Sequence, residues 1–385
     1  MKNRTSCFGL VISILVASGA ILLPACGADS EAVRVLRIPE EGRMPQAAND
    51  SNGVTHLMYF RGAMTGGDLF YSRWNTEEPT WTAPIQINSK PRTSIGMGPM
   101  DGGDMALTTG SPANPRLHAV WFQNNPLRLF YTRSTEDGED FEPQRTLVEI
   151  EDQVIEARPS IATDGRDQIF IAWHGAPTNK TDDANRAVFL MTSEDGGESF
   201  RPPRVISPPK EGACGCCSLE LFFDEGTVWV SYRGAEDNVG RGQRLLRSTG
   251  TDQMFADELI QPWPIGACPV TTTAFAKAPD RVRVAWETAG EIYFAEVNDL
   301  ADVVSPDGEA KFRRKNATIA TNNRGETLLA WGDAPGYRAG GTLNWQLFDS
   351  NDRAISEVGP DRDTIPSGSG PAITVQPDDT FLLLY

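Results

Sequence analysis

Between Pro159 and Pro203 apolar and polar positions alternate in short runs that end in turn residues. Pro159-Ser-Ile-Ala-Thr163, Ile169-Phe-Ile-Ala-Trp173 and Ala187-Val-Phe-Leu-Met-Thr192 predict three strands, and Arg201-Pro-Pro-Arg-Val-Ile206 predicts an outer fourth. A period of two suits half-buried strands, and no convincing amphipathic helix interrupts them. Four strands in about fifty residues are one blade of a β-propeller.

The aromatic residue that ends the second strand can be followed along the whole chain. It is Phe60 in His56-Leu-Met-Tyr-Phe60, then Trp121, Trp173, Tyr232, Trp286, Trp331 and Tyr385, at spacings of 45 to 61 residues. Seven such ends predict seven inner-strand pairs. The last pair, Pro371 to Tyr385, has no outer strands after it. Val33-Arg-Val-Leu-Arg-Ile38 has no inner strands before it. Together they predict one thin blade that closes the ring and protects its edges. The expected fold is all-β, a propeller of four-stranded antiparallel blades, formed by a single domain over 33–385.

A turn follows the third strand of the clearest blade, Ser193-Glu-Asp195-Gly-Gly197-Glu-Ser199-Phe200. Asp195 can accept hydrogen bonds from the amides of its own turn, Gly197 can take a positive φ, and Phe200 can plug the gap between sheets. A weaker copy is Ser134-Thr-Glu136-Asp-Gly138-Glu-Asp140-Phe141, with Glu136 at the place of Asp195. This turn resembles the Asp-box (BNR repeat) of sialidases. The chain is similar to an exported bacterial subset of that family that carries a Cys-x-Cys-Cys motif. The resemblance implies a sialidase-like propeller with the boxes in a structural role, away from the catalytic face. Sialidases have six blades, so six with an extra hairpin is the alternative to seven.

The chain opens on Lys2 and Arg4, an apolar run from Phe8 to Leu23, and Leu23-Pro-Ala-Cys26. That is a secretory signal peptide over 1–25. Cys26 after a small residue marks a lipid anchor, and 26–32 form a short linker; ordinary cleavage near Ala28 is the alternative. The expectation is therefore an exported, monomeric lipoprotein of the cell envelope, touching membrane only through its anchor. There are 52 acidic against 35 basic residues, a net charge of -17. Such a balance argues against nucleic acid and anionic lipid surfaces as partners.

In a propeller, first strands begin and second strands end at one mouth of the channel, where ligands usually bind. This register gathers Arg43, Arg61, Arg158, His174, Tyr232, Arg233 and Glu287. Guanidinium groups take carboxylates in a bidentate fork. A glycan or small anionic ligand is the expected guest, with a protein partner on the same face as the alternative. The sialidase resemblance further implies exo-glycosidase chemistry, with three arginines, a tyrosine activated by a glutamate, and an aspartic acid. Arg43-Met-Pro45 matches the first arginine in position, and Tyr232-Arg233-Gly234 the second. Cys217 or its neighbour stands where the glutamate belongs. No late-blade arginine or tyrosine, Tyr337 and Tyr385 included, stands in a clear motif, so no catalytic residue is assigned. A tyrosine without its glutamate keeps a pKa of about 10 and is a poor nucleophile.

The sharper local signal is sulfur. Cys214, Cys216 and Cys217 open one blade, and Cys268 opens the next at the equivalent place. In an exported protein an even count reads first as disulfides. Four sulfurs gathered at one point also match the ligand number of copper or zinc, and a free redox thiol is the third reading. Only three histidines occur, His56, His118 and His174, which argues against a histidine-rich metal centre. Asp101-Gly-Gly-Asp104 and Asp182-Asp183 read as solvated acidic turns, with Ca²⁺ binding or an acid's role as the alternative.

Overall fold

The computed structural model describes residues 32–385 apart from 76–78, 112–113, 152, 177–181, 251–253, 311 and 334–339. The signal segment and Cys26 thus lie outside the described residues, as does Tyr337. Seven sheets succeed one another in chain order, forming a seven-bladed propeller. The inner strands are Arg43–Asn49, Gly103–Ser111, Ser160–Thr163, Glu220–Asp224, Thr273–Lys277, Arg314–Thr321 and Ala372–Val375. Each pairs with the next strand in the chain, and that strand with the third, all antiparallel in blades 1 to 6. In blade 3, Ile161 faces Ile171 and Phe170 faces Thr192, so the alternation of the letters becomes the alternation of the two sheet faces.

The aromatic residues that mark the repeat are the hinges of packing. Phe60, Trp121, Tyr232, Trp286 and Trp331 are fully buried, and Trp173 nearly so. Each apolar cluster spans neighbouring blades. Phe60 and Tyr71 of blade 1 meet Trp121 and Phe130 of blade 2. Phe170 and Leu190 of blade 3 meet Leu221 and Tyr232 of blade 4. A blade therefore cannot bury its second face alone, and only ring closure satisfies the first and last.

The closing blade differs from the others in two respects: it has three strands, and Val33–Leu36 lies parallel to Phe381–Leu384. The direction follows from connectivity. Second strands run towards the mouth where first strands begin. Val33–Leu36 must also arrive there, because a short turn at Pro39–Glu41 leads directly to Arg43–Asn49. Leu382 and Leu384 then pack with Leu57 and Tyr59 of blade 1, which seals the ring.

The turn after the third strand of blade 3 is tightly bonded. Asp195 accepts from Ser193 Oγ (2.7 Å), Ser199 N (2.9 Å) and Ser199 Oγ (2.6 Å). These bonds hold its carboxyl at about 2, the Ser199 hydroxyl being the largest contributor. Gly197 has φ +82° with the Tyr131 hydroxyl against it, and Phe200 meets the Tyr131 ring edge-on at 5.0 Å. In blade 2 the turn has the same length, Glu142 N reaching Arg133 O as Arg201 N reaches Thr192 O, and there Thr135 Oγ1 and Glu139 N donate to Asp137. Gly138 still supplies the positive φ, and Phe141 packs on Tyr71.

Candidate functional site

The mouth at which first strands begin brings the cysteines together. The segment 212–218 lies across the start of blade 4, and Cys214 N donates to Arg233 O at 2.8 Å. Gly212 has φ +60°, and a Cβ there would press on the backbone of Asp183 and Ala184. Glycine thus allows the cysteine segment to settle against the loop between the second and third strands of blade 3.

Cys214, Cys216 and Cys217 are buried. Cys214 Sγ lies 3.4 Å from Cys216 Sγ and 3.5 Å from Cys217 Sγ. These are contacts between thiols, well beyond the roughly 2.05 Å of a disulfide, and all four cysteines are free. Cys268 is exposed at the lip. It joins a second group, with Cys214 and Asp183, whose ligand atoms lie within 4.8 Å of one another. The cluster can therefore hold a metal ion.

The surroundings set the thiols apart, favouring thiolates at Cys217 and Cys268 and thiols at Cys214 and Cys216. Burial resists ionisation of Cys217, but hydrogen bonds from Cys214 and Cys216 and the charge of Arg233 overcome it and lower its pKa. Cys268 falls to about 3, through hydrogen bonds from Cys214 and Cys216 and then the charge of Arg241. Cys216 keeps its proton, pushed up by its bond with Cys214.

Three further groups complete the site. Asp183 Oδ1 accepts from Gly215 N (3.2 Å) and lies 3.1 Å from Arg186 Nε; its Oδ2 takes Arg241 NH1 at 2.7 Å. His174 is wholly buried, and neither ring nitrogen has a hydrogen-bond partner among the described residues. Burial lowers its pKa to about 4, with Arg186 adding to the shift, so the imidazole is neutral with a lone pair to give. Glu287 Oε1 accepts from Gly290 N at 2.8 Å, whereas Oε2 has no hydrogen bond and stands 3.5 Å from Lys315 Nζ. A pocket of about 410 Å³ opens beside them, walled by Trp263, Cys268, Glu287, Arg313 and Lys315 among others.

The arginines named from the register do not form a cradle. Arg43 donates to the carbonyls of Gly62, Gly96 and Ser367 and stacks on Phe60. Arg61 pairs with Glu40 and lies over Phe70. Arg158 points into the channel and meets Glu220 at 3.2 Å, beside a cavity of about 160 Å³. Burial raises the Glu220 carboxyl to about 8. Arg233 is fully buried on Arg241 O, Thr271 Oγ1 and Glu287 O, with Trp263 stacked on it. Tyr232 is equally buried, which raises its pKa far above the usual range. Arg233 and Glu287 thus join the cysteine site as its wall, while Arg43 and Arg61 stand apart. Sequence reasoning missed Asp183, Arg241 and Lys315. Asp183 had a signal, its place in the loop before the cysteine blade, but the acidic pair looked like any solvated turn.

No protein-family model matches the chain, and no curated protein resembles it in sequence. Solved structures share its fold. A protein of unknown function from Dyadobacter fermentans is 15% identical, over 81% of this chain and 95% of that one, with a TM-score of 0.52. An α-L-arabinanase from Penicillium chrysogenum is 9% identical over 82% and 96%, TM-score 0.51. An α-L-arabinofuranosidase from Fusarium graminearum is 8% identical over 81% and 94%, TM-score 0.54. At such identities the likeness is one of architecture.

Proposed function

We propose that this propeller binds a soft metal ion, cuprous copper, on Cys214, Cys216 and Cys217 at the channel mouth. The observation that carries the reading is the buried sulfur triad, with Cys214 3.4 and 3.5 Å from its partners. Thiolates select Cu(I), zinc or iron–sulfur clusters, and structural zinc takes four ligands in a tetrahedron. The three buried thiols make a compact set that suits Cu(I), and zinc is the alternative ion should Cys268, which bonds Cys214 and Cys216, act as a fourth ligand. Sulfurs bound about 2.3 Å from one ion stand about 4 Å apart, so the triad need open by only about half an ångström. His174, buried and unpartnered, is a spare nitrogen donor near Cys217. On this reading residues 1–25 direct export, Cys26 carries the lipid anchor, and 33–385 work as one domain outside the cytoplasm. The test is anaerobic loading of the reduced full chain with Cu(I), followed by challenge with bicinchoninate. Wild type should retain copper and Cys214→Ser should not; equal loss from both would overturn the reading.

A second reading is favoured by the arabinan-acting enzymes that share the fold. The pocket lined by Trp263, Glu287, Arg313 and Lys315 has the aromatic and charged walls that a sugar or small anion would use. Calorimetry with arabino-oligosaccharides and sialosides, and release of aryl leaving groups from both, decide it. Silence in every assay would remove it.

A further inference from the structure

Two donor groups at the mouth share one sulfur. Cys214 belongs to the inner set with Cys216 and Cys217, and also to the outer set with Cys268 and Asp183. We infer, resting on the reading that the inner triad takes Cu(I), that the mouth holds two cuprous ions, with Cys214 as the bridging thiolate and Cys268 completing a two-sulfur outer site beside Asp183.

The donors exceed what one ion uses. A cuprous ion on the inner triad is satisfied by three sulfurs and leaves Cys268 unspent. A thiolate sulfur keeps spare lone pairs after binding one metal, so Cys214 can serve both ions. An ionised carboxylate offers about four acceptor sites. Asp183 accepts hydrogen bonds from Gly215 and Arg241, with Arg186 Nε facing it at 3.1 Å as an ion pair, and stands beside the outer sulfurs as a charge partner.

The charges agree with two ions. Four thiolates and Asp183 carry five negative charges. Two cuprous ions carry two positive ones, and Arg186, Arg233 and Arg241 supply three more. Glu287 is matched separately by Lys315. Access matches as well. Cys268 stands exposed on the wall of the pocket of about 410 Å³, whereas the inner sulfurs are covered. The step needs no oxidant. Cys214 and Cys216, the thiols that keep their protons, give them to solvent as their Cu–S bonds form, Cys217 and Cys268 bind as thiolates, and copper stays monovalent.

The experiment is an anaerobic titration of the reduced full chain with Cu(I), in competition with bicinchoninate. Two equivalents should bind to wild type, one to Cys268→Ser, and none to Cys214→Ser. A second preparation avoids substitution. Iodoacetamide on the folded, metal-free protein alkylates the exposed Cys268, and one equivalent should then remain. One equivalent in wild type, or two after Cys268 is replaced or alkylated, overturns the two-ion site while leaving the triad. No copper in wild type overturns the underlying reading instead.

Discussion

Two sets of side chains reach the same rim, and the fold treats them in opposite ways. The arginines of blades 1, 3 and 4 are spent largely on the protein, although Nε of Arg158 and of Arg233 is buried without a hydrogen bond among the described residues. Arg43 serves three carbonyls, Arg61 faces Glu40, Arg158 faces Glu220, and Arg233 ties Arg241, Thr271 and Glu287 together. On the cysteine side, groups of equal chemical appetite are left wanting. Three thiols crowd one point, and His174 and Glu287 Oε2 are buried without hydrogen bonds. Buried polar groups are almost always satisfied, so a cluster of exceptions marks a place where something else binds. Residue type and register bring both sets to the rim; only the accounting of partners separates a wall from a site.

Substitutions can break or sharpen that contrast. The largest effect is expected on the unsatisfied side. Cys217→Ser should lower Cu(I) affinity by more than roughly 100-fold, beyond what loss of an outer-shell partner costs. Bicinchoninate competition measures it, and an unchanged affinity would put the metal elsewhere. Next comes the spent side. Arg233→Ala strips donors from two carbonyls and a hydroxyl in a dry interior, and should cost about 3 kcal/mol in chemical denaturation. A stable Arg233→Ala protein would mean that the guanidinium had been free for a ligand after all.

A third test uses pH on the metal-free protein. His118 is buried, bonded to the Tyr131 hydroxyl at 2.7 Å, and burial first and Arg116 second lower its pKa to about 3 from an ordinary 6.5. Its folded-state pKa is depressed, so the unfolded chain binds the proton first. Stability is therefore complete above about pH 6.5 and falls as pH drops towards 3. His118→Gln should remove about one proton from the slope of unfolding free energy near pH 5. An unchanged slope would show that His118 is not held neutral. Smaller still, Asp195→Ala should cost about 1 kcal/mol through its turn bonds and leave copper binding intact. Arg61→Ala, an exposed pair, should stay within about 0.5 kcal/mol.

The repeat was legible because strand alternation and the recurring aromatic are imposed by the packing itself. Trp121, Trp173, Trp286 and Trp331 sit where their spacing puts them, between blades. The parallel closing strand was not legible, since direction depends on which way a second strand faces in three dimensions. At the rim, the cysteines could be read as a group because their blades are adjacent. Asp183 could not, because its partners Arg186, Arg241 and Gly215 come together only when blade 3 meets blade 4. In the blade 2 turn, the letters favoured Glu136, but Thr135 and Glu139 bond to Asp137 one residue further on.

The central claim is that the triad of Cys214, Cys216 and Cys217 is a metal site built of sulfur. X-ray absorption at the copper K edge, on the anaerobically loaded full chain, reads the ligands directly. The proposed triad should give a cuprous edge and a first shell dominated by sulfur at about 2.3 Å, lost in Cys214→Ser. A shell of nitrogen or oxygen, or a sulfur shell that survives that substitution, would contradict it.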